Sequence, residues 1–489
     1  MSRRDRNRIR HTRQFLNLVA ADEEDTEAIR PALDQVLAAW DRADDDPDTA
    51  VAFTLAMRRF CDHADLQEEY VRHGEHALSS AAGNDRFRLL ISLGQAHGAL
   101  WHWDTALGYF RRTLSELGPQ DDPDFRGFAL NNIGRVQAAT DDYRGAVRSY
   151  IQAIKAFTTP DGDREGLATA LSNLGHAHSR LGNRQEALDL LERALDEAPY
   201  DDVRAPILRH LGWTHADLGH SAEAVERNEQ ALALYQRLGD DAGHASTLNS
   251  LALLHHQLGD PRRALAMLHE AAEIEAGLPP THDRVTTIGN LATIHADLGE
   301  TDKAETYFLR VLAAALAAGS RESEAIAHNN IGLLRYRSGD KNGAVAEFDL
   351  ALPLFTELGL KEGIAAVYAN RGLARLDRDD IEEALRLHRE ISDVNGEGQT
   401  LNTLGLIHQR DGDDEEALRC HERALAIHEE TGDLDEQATS LVNLSVILER
   451  RGDTVKAAGL LRRAIRIEEQ IDSPELAEHR EALDQLERG

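Results

Sequence analysis

One spacing governs what this chain can fold into. A small residue preceded by an apolar one recurs at Gly94, Gly134, Gly175, Gly212, Ala252, Ala292, Gly332, Gly372, Gly405 and Ser445, in steps of 40, 41, 37, 40, 40, 40, 40, 33 and 40. Twelve residues after each stands an alanine: Ala106, Ala146, Ala187, Ala224, Ala264, Ala304, Ala344, Ala384, Ala417 and Ala457. Such a period marks copies of one small unit stacked in series. Glycine and alanine belong where two helices approach to ~8 to 10 Å, since larger side chains would hold them apart.

The preceding residues supply a buried stripe: Leu93, Ile133, Leu174, Leu211, Leu251, Leu291, Ile331, Leu404 and Leu444, with Arg371 as the exception. Turns such as Leu181-Gly182-Asn183 and Leu258-Gly259-Asp260-Pro261 end one helix on Gly and start the next on Asn, Asp or Pro. Each copy therefore reads as a helical hairpin. One hairpin cannot bury both its faces, so the copies must stack. The expected fold is all-α, a right-handed superhelical α-solenoid of antiparallel hairpins without strands.

The small residues and the alanines, with a further alanine seven later at Ala153, Ala194, Ala231, Ala271, Ala351, Ala424 and Ala464, resemble the tetratricopeptide repeat. The resemblance covers repeats one to eight (81–391) and nine and ten (392–471). The step near 40 and stretches such as Asn173-Leu174-Gly175-His176-Ala177-His178 are similar to the long-repeat arrays of kinesin light chains and polarity adaptors, and to the sensor arrays of bacterial signal-transduction ATPases. Thr49 to Ser80 reads as a degenerate capping copy (49–80), with Tyr70 where the alanine should be. Before it, 1–48 reads as two helices, Arg3 to Val19 and Ala28 to Asp41, and 472–489 as a polar closing helix. Repeat eight, with Arg371 and the short step of 33, is the expected place for a local break.

Composition narrows the function. With 54 basic against 86 acidic residues the formal charge is -32, which repels nucleic acid and anionic membranes. The longest run without charge, Ala242 to Gly259, is 18 residues and carries His244, Asn249, His255, His256 and Gln257, too polar to span a bilayer; another, Leu89 to Trp103, is 15 residues. Cys61 and Cys420 stand alone, as in a cytoplasmic protein. Five lysines against 49 arginines suggest a bacterial source. No nucleotide loop, nucleophile elbow or zinc helix is present, so the chain reads as no enzyme, with no cofactor. Asp161, Asp163, Glu165 and Gly166 open like a calcium loop, but Ser172 stands where the bidentate Glu belongs, and a polar turn is the better reading. His97, His178, His215, His255, His295 and His408 recur three residues after the small site. One helix spacing apart, they are too distant to share a metal, and are expected to pack and hydrogen-bond between hairpins.

Asparagines recur two residues before the small site (Asn132, Asn173, Asn290, Asn330, Asn370, Asn443) or three before it (Asn131, Asn249, Asn329, Asn402). Asn lowers helix stability by up to ~0.7 kcal/mol relative to Ala, so the row calls for a reason. It lies about 140° from the histidines, away from the Leu stripe. Amides there can grip the backbone of an extended peptide, or bond to one another and set the stacking; both readings stay open. Arg180, Arg337, Arg410 and Arg450, five residues after the small site, and Arg135, one after it, add a preference for carboxylates. Asp217, Asp297 and Asp377 take that place in repeats four, six and eight. The functional expectation is a scaffold or adaptor that captures a carboxylate-bearing peptide or partner protein in its groove; the alternative is the ligand-sensing array of a bacterial signalling or defence regulator.

Overall fold

The computed structural model describes residues 15, 16, 19, 32–63, 66–160, 162–278, 282–471, 473 and 475–488, and among them there is no strand. The chain divides into two compact units, 1–260 and 261–489. In the first, helices Leu33–Ala43, Pro47–Ala56, Arg58–His63 and Gln67–Leu78 precede four hairpins. These are Gly83–Ala99 with Trp103–Glu116, Pro123–Ala139 with Tyr143–Phe157, Arg164–Arg180 with Arg184–Glu197, and Asp201–Asp217 with Ser221–Leu238; helix Asp241–Gln257 completes the unit. The second unit opens on Pro261–Ala276 and continues through His282–Asp297 with Thr301–Ala318, Arg321–Arg337 with Lys341–Leu358, Lys361–Arg375 with Arg378–Ile391, Val394–Arg410 with Asp414–Thr431, and Leu434–Arg450 with Thr454–Ile471. Helix Leu476–Arg488 closes it. The expected helix from Arg3 to Val19 lies almost wholly outside the described residues.

The fold is an α-solenoid of antiparallel hairpins, and its repeating small residues are where the helices touch. All ten periodic alanines are completely buried. A Cβ added to Gly94, Gly134, Gly332 or Gly405 would sit 2.4, 2.5, 2.6 or 2.5 Å from the ring of Phe110, Tyr150, Phe348 or His421, each sixteen residues on in the partner helix. Glycine is thus required by the ring that fills the crossing. Leu in place of Ala187, which is 0% exposed and whose carbonyl lies 3.1 Å from where a Cβ of Gly175 would be, should destabilise the fold by about 1 to 3 kcal/mol. A thermal melt of Ala187→Leu that matches the wild type would mean the crossing is not tight.

Turns follow from the same register. Seven residues after the small site the backbone is left-handed, at Gly182, Gly219, Gly259, Gly299, Gly339, Gly412 and Gly452, and at Trp101 and Asp141 in the first two hairpins. Aspartates then cap the helices that follow: Asp142, Asp340 and Asp413 accept from the amides of Gly145, Gly343 and Glu416. Part of the acidic surplus therefore neutralises helix N-termini. Asp163 does the same for Glu165, consistent with a polar turn there; Asp161 lies outside the described residues.

Repeat eight departs from this register in a coherent way. Position 379 is Asp, not Gly, and the left-handed residue is Leu376 (φ 52°). The first helix therefore ends at Arg375, two residues earlier in the register than in the other hairpins, and the second starts at Arg378, three residues earlier. Asp380, whose counterparts Asp340 and Asp413 are caps, is drawn inside the helix and is 9% exposed. Arg371 stands where other repeats have Leu or Ile, and donates from Nε and Nη2 to both oxygens of Asp380 at 2.7 Å. It also donates from Nη1 to Asp349 at 2.7 Å.

Candidate functional site

The first helices of successive hairpins meet through the polar row. Asn173 donates to Asn131 Oδ1 at 3.0 Å, and Asn370 to Asn329 Oδ1 at 3.1 Å. Asn402, 5% exposed, donates to Ser440 Oγ at 2.9 Å and accepts from His421 Nδ1 at 3.1 Å. Asn249 is buried and donates weakly to Ala245 O. Asn290, Asn330 and Asn443 are half-buried, and the side chains of Asn330 and Asn443 make no hydrogen bond among the described residues. Several amides are thus spent on neighbouring helices, and the row does not present eight free grips.

The arginines behave alike. Each of the four at the turn end crosses to the preceding hairpin: Arg180 to Tyr143 Oη at 3.2 Å and over its ring at 5.4 Å, Arg337 to Asp297 at 2.9 Å, Arg410 to Leu376 O at 2.7 Å, and Arg450 to Asp414 at 2.7 Å. They are exposed and lie seven residues, about 10 Å, along the helix from the amides two before the small site.

Asn132 and Arg135 come together in a pocket of about 530 Å³ between the first two hairpins. Its apolar wall is Trp103, Phe110 and Val136, with Gly94 and Gly98 keeping the space open. Its polar side is a chain of groups: Arg58 Nη2 donates to Gln95 Oε1 at 3.3 Å, Gln95 Nε2 to Asn132 Oδ1 at 3.4 Å, and Arg135 Nη1 to the same oxygen at 3.2 Å. Asn132 Nδ2 is held by Phe128 O at 2.9 Å, which fixes its oxygen toward the arginines. The Arg58 guanidinium lies 5.3 Å over the ring of buried Tyr70, the residue that replaces alanine in the capping copy. Trp101, 75% exposed and left-handed, sets its ring edge-on to Trp103 at 5.4 Å. A bulky side chain in that backbone region costs ~1 to 2 kcal/mol.

A family model described as the tetratricopeptide repeat matches residues 126–196, 204–275, 283–357 and 396–470, more than half of the chain. The chain belongs to the tetratricopeptide repeat family. Among solved structures it is similar to the apo form of the quorum sensor NprR from B. thuringiensis, 14% identical over 71% of this chain and 97% of that one, with a TM-score of 0.52. It is also similar to a Rap protein complexed with competence and sporulation factor, 15% identical over 75% and 98%, with a TM-score of 0.51. At these identities the likeness is one of fold. No curated protein matches the chain in sequence.

Within the tetratricopeptide repeats three of the six recurrent histidines make hydrogen bonds inside their own hairpin, rather than between hairpins as expected. His97, His178 and His295 reach the residue five later that starts the second helix: His102 at 3.4 Å, Asn183 at 3.2 Å and Glu300 at 2.5 Å. The same backbone pairs close the turn, as in His178 O accepting from Asn183 N at 2.9 Å. The cause is the turn length, which returns the chain to the last turn of the first helix. Burial lowers the pKa of His97 and His215. Arg58, Gln95 and Trp103 were missed from sequence because they sit outside the asparagine register. Two departures from the repeat pattern pointed to them: Tyr70 in place of alanine, and Trp101 in place of glycine.

Proposed function

We propose that this tetratricopeptide repeat protein is a non-catalytic binding array, and that the pocket between its first two hairpins anchors a carboxylate carried by a partner protein or peptide. The observation that carries this is the convergence of Arg58 and Arg135 on an apolar pocket in a chain of net charge -32. The two arginines come from separate helices, Arg58–His63 and Pro123–Ala139, and Gln95 and Asn132 hold the space between them. A carboxylate there would accept charge-assisted hydrogen bonds from both, while Trp103 and Phe110 cover the apolar part of the residue bearing it. That two proteins of this fold are a quorum sensor and a Rap protein complexed with competence and sporulation factor favours a sensing role as the second reading. No helix among the described residues is long and apolar enough to cross a membrane.

An array of random peptides with free or amidated C-termini, followed by titration of the peptides retained, tests the reading. Acidic peptides should bind, and Arg135→Ala should weaken them by about 10- to 100-fold, the loss of one charge-assisted hydrogen bond at roughly 1.5 to 3 kcal/mol. Arg450→Ala, at the far end of the chain, should leave them unchanged. Equal retention of neutral and acidic peptides, or equal loss in both variants, would place the binding surface elsewhere.

A further inference from the structure

The closing helix Leu476–Arg488 has no buried side chain, so apolar packing does little to hold it on the last hairpin. Two of its ion pairs, Arg462 to Glu487 and Arg480 to Glu469, both 2.6 Å, are about half exposed, and such pairs contribute little. A different group lies at its start. Glu468, on helix Thr454–Ile471, has a side chain only 2% exposed. One of its oxygens is 2.6 Å from His479 Nδ1. The other, Oε2, is buried and has no hydrogen-bond partner among the described residues. His479 N donates to Glu475 O at 3.1 Å, and this spacing of four puts both side chains on one side of the helix start. One ligand atom from each of Glu468, Glu475 and His479 lies within 4.8 Å of the other two.

A buried carboxylate with an unpaired oxygen is expensive, and Glu475 brings a second carboxylate to the same place. A dication satisfies all three groups. We propose that Glu468, Glu475 and His479 bind a divalent transition-metal ion that pins the closing helix to the last hairpin. Imidazole with two carboxylates suits zinc and its neighbours better than magnesium or calcium. Metal–ligand distances of about 2.0 to 2.2 Å require the exposed Glu475 to swing in and the proton between His479 Nδ1 and Glu468 to leave. The group stands outside the repeat register, which is why the spacing of the repeat histidines gave no sign of it.

The test uses the full chain, stripped with a chelator and titrated with zinc by calorimetry, with hydrogen exchange read in parallel. Zinc should slow exchange of amides 476–488 specifically, and Glu468→Gln and His479→Ala should each weaken the responsible site at least about tenfold. Glu475→Gln keeps the contact between Glu468 and His479, so the helix stays docked, yet it should weaken zinc as well. Zinc binding of the same affinity in all three variants, or exchange of the closing helix that zinc leaves unchanged, would overturn the proposal.

Discussion

Asp380→Ala is expected to cost roughly 3 kcal/mol of stability, the low end for breaking a buried ion pair. The loss does not come from a cap, since Asp377 caps this helix by accepting from the amides of Asp379 and Asp380. It comes from Arg371, whose side chain is only 14% exposed and would keep a single carboxylate, Asp349. Arg371→Leu alone should cost a similar amount by stranding Asp380, even though it restores the residue type of the other repeats. The double variant, Arg371→Leu with Asp380→Leu, should recover much of the loss, because packed apolar side chains replace a buried pair at little cost. Chemical denaturation of the four proteins gives the coupling energy; additive losses would show that the two residues act independently.

Acid should unfold the second unit through His421. This side chain is fully buried, and its hydrogen bonds define a neutral ring. Asn402 Nδ2 faces Glu436 Oε2 at 3.3 Å, so its oxygen faces His421 Nδ1, which must donate at 3.1 Å. Nε2 then accepts from Gln409 Nε2 at 3.2 Å. Protonating Nε2 would set donor against donor. Burial accordingly lowers the His421 pKa to about 4 from 6.5. The sign follows: the unfolded chain binds the proton first, so the contribution is complete above pH 6.5 and is lost as pH falls through about 4. The total is roughly 3 kcal/mol. Phenylalanine occupies the matching place at Phe110, Phe308 and Phe348, so His421→Phe should fold and flatten the dependence of stability on pH between 6.5 and 4. An unchanged slope would assign the acid sensitivity to other groups, of which buried His428, also lowered by burial, comes first.

These two sites show where sequence reading reached and where it stopped. The period near 40, the ten alanines and the glycines fixed the family and the hairpins because each is a local demand: a crossing without room for a Cβ, or a left-handed turn. The shift in repeat eight was legible as a missing glycine and a misplaced arginine. That the arginine serves to neutralise a displaced cap was not, since it depends on where three residues of helix end up. The asparagines were visible as a row, yet Asn173, Asn370 and Asn402 turned out to bond to neighbouring helices, and periodicity cannot distinguish an amide that grips a ligand from one that grips its neighbour.

The sequence by itself determined what repeats: helix length, turn position and the small residues at each crossing, all set by interactions within about forty residues. Tertiary structure alone decided what does not repeat. It brought Arg58 of the capping segment to Arg135 of the second hairpin, and Glu468 to His479 of the closing helix. These pairs break the period, and whether their side chains meet depends on how one hairpin seats on the next, a geometry set by summed packing over many residues rather than by any local spacing.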